Sequence, residues 1–298
     1  MPVKLLLVRS LMPLFLLVSW AAASTVLMHA QTVSANPPSL TAAEAQELVD
    51  RALTAELRIA QDPNHPMRYR LRKSSPRFTS TKEIFETRDG DVARLVAIGD
   101  KPLSPTDEQM EQDRLDLLLS DPSRQRHRKQ SEDEDTVRAL KVLRALPQAF
   151  VYQLAGTASS PAGKVVKFTF KPNPNFIPPD LETDILTAMT GELWIDPTQE
   201  RVTRLEGHLQ RDVNFGWGIL GQLSNGGWIV IEQADVGARQ WRIVRFQMAM
   251  SGRVLFKNRV FDTLEEQTQF APVPVGLTYA QAIQMLRANP GAFAQPSH

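Results

Sequence analysis

At 298 residues, 42% hydrophobic and 22% charged, the chain has ordinary globular composition and enough apolar material for a sizeable core. Its formal net charge is +1, and with Lys4 and Arg9 assigned to an N-terminal leader the remainder is close to neutral, with no electrostatic footprint for nucleic acid. It contains no cysteine, which excludes disulfides, thiolate metal sites, a cysteine nucleophile and a lipid-modified N-terminal cysteine.

Residues 1–35 read as a secretory signal peptide, with Lys4 and Arg9 as the positive region, Leu11 to Val18 as the apolar region, and Val33-Ser34-Ala35 as a small-x-small cleavage site. Ala21-Ala22-Ala23 and Met28-His29-Ala30 compete for cleavage, and an uncleaved anchor is the other reading of the leader. No later stretch is long and apolar enough to span a bilayer as a helix, so a soluble mature protein is expected, as one domain over 36–298.

Leu40 to Ile59 places Leu48, Val49, Ala52, Leu53 and Leu57 at helical spacing, with Ser39 or Thr41 able to cap the start and Asp62-Pro63-Asn64-His65-Pro66 ending it. In Met67 to Ser75, Met67, Tyr69 and Leu71 alternate with Arg68, Arg70 and Arg72, as on a strand. Three arginines on one face suit an anion or headgroup site; the expectation is a solvated face paired with Glu83 or Glu86. Phe78 to Arg88 and Asp91 to Ile98 form a hairpin around Asp89-Gly90, read as a turn rather than a calcium loop.

From Ser104 to Leu146 the pattern becomes helical, an insertion expected to lie across one mouth or face of the sheet. Leu115, Leu118 and Leu119 mark a first helix, Asp121-Pro122 breaks it, and Val137, Leu140, Leu143 and Leu146 mark a second that ends before Pro147. Between the two lie Arg124, Arg126, Arg128 and Lys129, followed by Glu132 to Asp135. This charge block reads as a solvated connector or helix face, with docking of an envelope protein through 122–135 as the alternative.

Strands resume at Phe150 to Ala155 and Lys164 to Lys171, and Asn173 to Pro179 is an irregular loop. Asp180 to Met189 is a short helix or turn leading into a hairpin on which Leu193 and Ile195 alternate with Glu192, Trp194 and Asp196, turning at Asp196 to Glu200. A glycine-rich connection around Trp217 follows. Three strands come next, Trp228 to Val236, Arg239 to Met250 and Arg253 to Leu264, with Gly237-Ala238 and Ser251-Gly252 as turns and Thr278 to Ala288 as a closing helix. The fold class is therefore α+β, a long curved antiparallel sheet of about ten strands.

No nucleophile elbow, zinc-protease motif, phosphate loop or dinucleotide fingerprint is present. His65 sits in a proline-rich turn, His127 in the charged run and His298 at the terminus. His208, on one strand face with Glu206, Gln210 and Asp212, is the one place for an acid-base pair or metal site; a polar outer face is the expectation. No catalytic residue, metal ligand or cofactor site is assigned. The apolar candidates are Phe168, Phe170, Leu193, Ile195, Trp241, Phe246, Met248 and Phe256, with Met250 beside them. They suit either a closed core or the lining of a concave face, since a curved sheet must fill that face with side chains, a covering helix or a ligand.

An exported, cysteine-free chain with an N-terminal helix, an antiparallel meander interrupted by helices, and the Gly191-Glu192-Leu193-Trp194-Ile195-Asp196 hairpin resembles the LolA/LolB-like superfamily, including its exported members described as outer membrane lipoprotein-sorting proteins. The resemblance implies an incomplete β-barrel with a helical lid, periplasmic or secreted, that binds a hydrophobic ligand or lipoprotein acyl chain without catalysis. The insertion over 104–146 departs from the compact carriers. An envelope protein-interaction or sensing module with a closed core is the alternative.

Overall fold

The computed structural model describes residues 40–160, 163–215, 221–254 and 257–288. The leader, Phe256, His298 and residues 216–220 of the glycine-rich connection, Trp217 among them, lie outside them.

Helix α1 (Ala42–Ala60) starts at a capping box: Glu44 N–H donates to Thr41 Oγ1 and Thr41 N–H to Glu44 Oε2, which satisfies two end groups of the helix. Its buried stripe is Leu48, Val49, Ala52 and Leu53. After it come β1 (Met67–Ser74), β2 (Thr79–Phe85), β3 (Val92–Ile98) and the two-residue β4 (Lys101–Pro102). The insertion is α2 (Pro105–Ser120) and α3 (Pro122–Ala149), each with proline in its first turn, where the missing N–H costs nothing. Strands β5 (Phe150–Ser160) and β6 (Gly163–Pro172) precede α4 (Leu181–Asp184), which runs on as a 3-10 turn over Ile185–Ala188. Then follow β7 (Met189–Asp196), β8 (Arg201–Leu209), β9 (Val213–Phe215), β10 (Gly221–Leu223), β11 (Trp228–Asp235), β12 (Trp241–Val254), β13 (Lys257–Pro272) and α5 (Tyr279–Ala288).

Among the described residues the strands make one antiparallel sheet of thirteen, ordered β4-β3-β2-β1-β13-β12-β11-β8-β7-β6-β5, with β10 on the distal half of β12 and β9 on β10. The sheet is open, with β4 and β5 at its edges. The three strands beyond the expected ten are β4, β9 and β10, two or three residues each and too short for a period-two signal. Curvature comes from bulges. Val244 is the extra residue of β12 between Arg245 and Ile243, and Thr203 that of β8 between Arg204 and Val202. On the concave face lies the main core, covered by α1 and the C-terminal half of α3 through Leu143, Leu146 and Ala149. A second core under α2 and α5 joins Leu115, Leu118, Ile283 and Leu286 to Phe85 and Val92.

Four expectations are corrected. The charged run 124–135 does not lie between two helices; it forms the first turns of α3. The same helix continues past Leu146 to Ala149 with Pro147 inside it, because Ala149 is fully buried and Tyr152 Oη donates to the Leu146 carbonyl at 3.0 Å, holding the last turn. Ser251-Gly252 is not a turn: both residues pair with β13, opposite Val260 and Arg259. Gly252 is needed instead for close approach, since a Cβ there would meet the Gln222 carbonyl oxygen of β10 at 2.2 Å. Finally, β13 continues beyond Leu264 to Pro272, and this extension is what pairs with β1.

The opening of the central hairpin carries a testable constraint. A Cβ at Gly191 would lie 1.8 Å from the Glu206 carbonyl oxygen, so an alanine must push β7 away from β8. Gly191→Ala is expected to cost about 3 kcal/mol, the upper part of the overpacking range, read as a lower denaturation midpoint at unchanged slope.

Candidate functional site

Between the concave face and its helical cover is a cavity of about 580 Å³, a size typical of small-molecule sites, roughly 300–1,000 Å³. Its roof is Leu53 of α1 with Leu143 and Leu146 of α3. Its floor is Phe170, Leu193, Leu205, Ile229, Ile231, Met248 and Met250, side chains of successive strands β6, β7, β8, β11 and β12. The wall follows β12 from Trp241 to Arg253, about 40 Å of extended chain, and it also includes Leu181 of α4, which is exposed.

The bulge at Val244 makes this wall continuous. Strict alternation would place odd-numbered Trp241 and Ile243 opposite even-numbered Phe246, Met248 and Met250. The extra residue shifts the parity, and all five are buried.

Polar groups gather at one end, below the C-terminus of α1. Glu56 is held by four donors: Arg201 Nε at 2.8 Å and Nη2 at 3.1 Å, the Val202 N–H at 3.1 Å and Gln233 Nε2 at 3.0 Å. The Arg201 guanidinium also lies 5.3 Å from the centroid of the Trp241 ring. Beside them, Arg242 donates through Nη1 to the Trp241 carbonyl and through Nη2 to the His65 carbonyl, at 3.0 and 2.6 Å. Burial pushes the Arg242 guanidinium down from its ordinary value, with Glu86 and Tyr69 acting the other way. Glu56 was legible in principle: it falls four residues after Ala52 and three after Leu53, a carboxylate on the buried stripe of α1. Nothing in the sequence singles out Arg201, Arg242 or Gln267, whose burial follows from strand pairing distant in the chain.

The eight apolar candidates divide three ways. Phe170, Leu193, Trp241 and Met248 line the cavity. Phe168, Ile195 and Phe246 are packed in the core, each at most 1% exposed, and are not part of the cavity wall. Phe256 lies outside the described residues.

His208 is on the outer face, 45% exposed, with Nε2 2.9 Å from Glu206 Oε1. Burial draws the Glu206 carboxyl up, but hydrogen bonds from Arg204 and His208 and their charge hold it below the ordinary range. Gln210 and Asp212 fall beyond the end of β8, and Asp212 caps the Asn225 N–H at 2.8 Å. Among the described residues no cluster of His, Asp and Glu has the makings of a metal site. On the arginine face of β1, Arg70 pairs with Glu83 at 3.3 Å as expected, but Glu83 is buried rather than solvated, and Arg72 pairs with Asp100 at 2.7 Å and Glu266 at 3.1 Å instead. Within 122–135, Gln125 donates to the Asp89 carbonyl at 2.8 Å and Glu132 accepts from the Asp91 N–H at 3.0 Å, so part of that run is spent on packing α3 against the β2–β3 connection.

No protein-family model and no curated protein matches the chain. Among solved structures, a LolA superfamily protein from Nitrosomonas europaea is similar over 77% of this chain and 94% of its own, at 11% identity and TM-score 0.28. An outer membrane lipoprotein-sorting protein domain from Vibrio parahaemolyticus is similar over 81% and 95%, also at 11% identity and TM-score 0.28. At those values the likeness carries no functional argument, and the function is read from the cavity. The first of these two structures bears the name of the superfamily that the chain's order of elements resembles.

Proposed function

We propose that this chain is an exported, non-enzymatic binding protein that holds a lipid, a lipoprotein acyl chain or another amphiphile in the concave face of its open sheet. One observation carries the reading: a cavity of about 580 Å³ between the sheet and its helical cover, with floor and roof built from aliphatic, aromatic and methionine side chains. Burial of each methylene in such a site contributes about 0.8 kcal/mol, so an acyl chain is held without any specific polar contact. Methionines at 248 and 250 add a wall that adapts to chains of different shape. The leader over 1–35 supports a periplasmic or secreted location, and the place of His208 on the outer face, away from the cavity and paired with Glu206, supports binding rather than catalysis.

The test is native mass spectrometry with organic extraction, on protein expressed with its leader and purified from the periplasm. A stoichiometric lipid-sized adduct is expected, and Met248→Trp, which fills the cavity from its floor, should remove that adduct while the protein stays folded. A clean mass, together with no thermal shift on adding fatty acids, would sink the reading and turn attention to partner docking through 122–135.

A further inference from the structure

The polar end of the cavity holds more hydrogen-bond donors than the protein uses. Trp241 Nε1, Arg242 Nε and Gln267 Nε2 are buried and have no hydrogen-bond partner among the described residues, and all three side chains line the cavity. The residues are 3%, 4% and 6% exposed, so bulk water does not solvate them. Buried donors without a partner are costly, on the order of 1–3 kcal/mol each, and native proteins retain few of them without a reason. Arg242 adds a charge to the same end: among the described residues no carboxylate lies within ion-pair distance of it. Glu56, the neighbouring acid, is saturated by Arg201, Val202 and Gln233. Glu86, also in the wall, attracts Arg242 while its Oε2 accepts from the Met67 N–H. The donors without a partner gather at this end, and the wall leading away from them is apolar through Ile243, Met248 and Met250 before it reaches Gln222 and Arg253 at the far end of β12, which matches a molecule with an acceptor-rich head and a hydrocarbon tail.

We infer that the cavity takes an anionic amphiphile head-first, its carboxylate or phosphate oxygens seated against Trp241 Nε1, Arg242 Nε and Gln267 Nε2, and its tail laid along β12 toward Met248 and Met250. The inference rests on the amphiphile reading above and adds the polarity of the ligand and its orientation. Nη1 and Nη2 of Arg242 are engaged with backbone carbonyls, which fixes the guanidinium so that Nε is the edge offered to the ligand. A charge-assisted contact in a dry site discriminates an anionic head from a neutral one of the same shape.

The experiment compares delipidated protein binding palmitate, methyl palmitate, lysophosphatidate and inorganic phosphate by calorimetry. Palmitate and lysophosphatidate are expected to bind at least tenfold tighter than the methyl ester, and phosphate alone much more weakly than lysophosphatidate. Gln267→Met and Trp241→Phe, which keep the bulk and remove the donors, should each weaken the acid more than the ester and so narrow the acid-to-ester ratio severalfold. Arg242→Met should abolish the preference, and the two milder variants decide the matter if it does not fold. Equal binding of acid and ester, or ratios unmoved by Gln267→Met and Trp241→Phe, would overturn the inference while leaving the amphiphile reading intact. Phosphate binding as tightly as lysophosphatidate would also overturn it, by making the site one for a free anion. Failure of acid and ester alike to bind would instead remove the amphiphile reading itself.

Discussion

Glu56→Ala is expected to lower the unfolding free energy by about 3–5 kcal/mol, measured from the guanidinium midpoint, because it breaks a buried ion pair by removing one member. The Arg201 and Glu56 side chains are only 6% and 11% exposed, and Arg201 reaches the carboxylate in a two-pronged grip. Removal of the carboxylate leaves that guanidinium in a low-dielectric site without its ion-pair partner, still facing the Trp241 ring. The Val202 N–H and the Gln233 amide lose their acceptor in the same step. The interaction also ties α1 to β8 and β11, two strands far away in sequence, so the helix that roofs the cavity should loosen first and show faster amide exchange. Pairing Glu56→Ala with Arg201→Leu tests the cause. The double variant should recover part of the loss, since it removes the uncompensated charge; a double variant no more stable than Glu56→Ala would mean that the lost pair, rather than the stranded cation, carries the cost, and one as unstable as the sum of the singles would mean that the two side chains are not coupled.

Phe168→Ala should cost about 3–5 kcal/mol as well, by a different route: a void in close-packed core rather than a stranded charge. Phe168 is 1% exposed and sits on β6, next to the edge strand, between Leu154 of β5 and Leu193 of β7. It is walled off from the cavity, so the variant should weaken the fold while leaving amphiphile affinity close to that of the parent at temperatures well below its melting point. Met248→Leu, on the cavity floor, should do the reverse. It conserves volume and costs less than about 1.5 kcal/mol, yet it replaces an adaptable side chain by a stiffer one in the ligand's path and should shift the preference among chain lengths. Equal stability losses in the two variants would contradict the division of the apolar candidates into core and wall.

That division is what the sequence could not supply. Phe168 and Phe170 are two residues apart on one strand and have the same side chain. Alternation puts both on the concave face, and only the third dimension puts one between Leu154 and Leu193 in the core and the other beside Phe150 and Tyr152 at the cavity wall. Position along the strand relative to the covering helices decides it. Trp241 and Phe246 illustrate the second limit. Their odd and even numbers place them on opposite faces by simple alternation, and one extra residue at Val244 returns them to the same face. A bulge of this kind leaves no mark in hydrophobic periodicity, because Val244 is itself strand-forming. Ser251-Gly252 shows the converse: a serine-glycine pair has turn chemistry, but here the glycine exists to admit the β10 backbone.

What the amino-acid sequence determined by itself is local and periodic. The capping box at Thr41 and Glu44, the helical stripe of α1, the proline-started helices of the insertion, the alternation of β1, β6 and β7, and the Asx turn at Asp196 all follow from interactions within a few residues. These elements sufficed for an α+β chain with one long antiparallel sheet. The tertiary structure decided which strands meet: β13 with β1, a pairing that spans most of the described chain, and β11 with β8, which passes over β9 and β10. It also decided the polar end of the cavity, because Glu56, Arg201, Arg242 and Gln267 come from four elements brought together only by that pairing. Long-range placement is set by the sum of many weak burial and register preferences, none of them large enough to be read from a single residue, and so the cavity had to be seen in three dimensions before its donors could be counted.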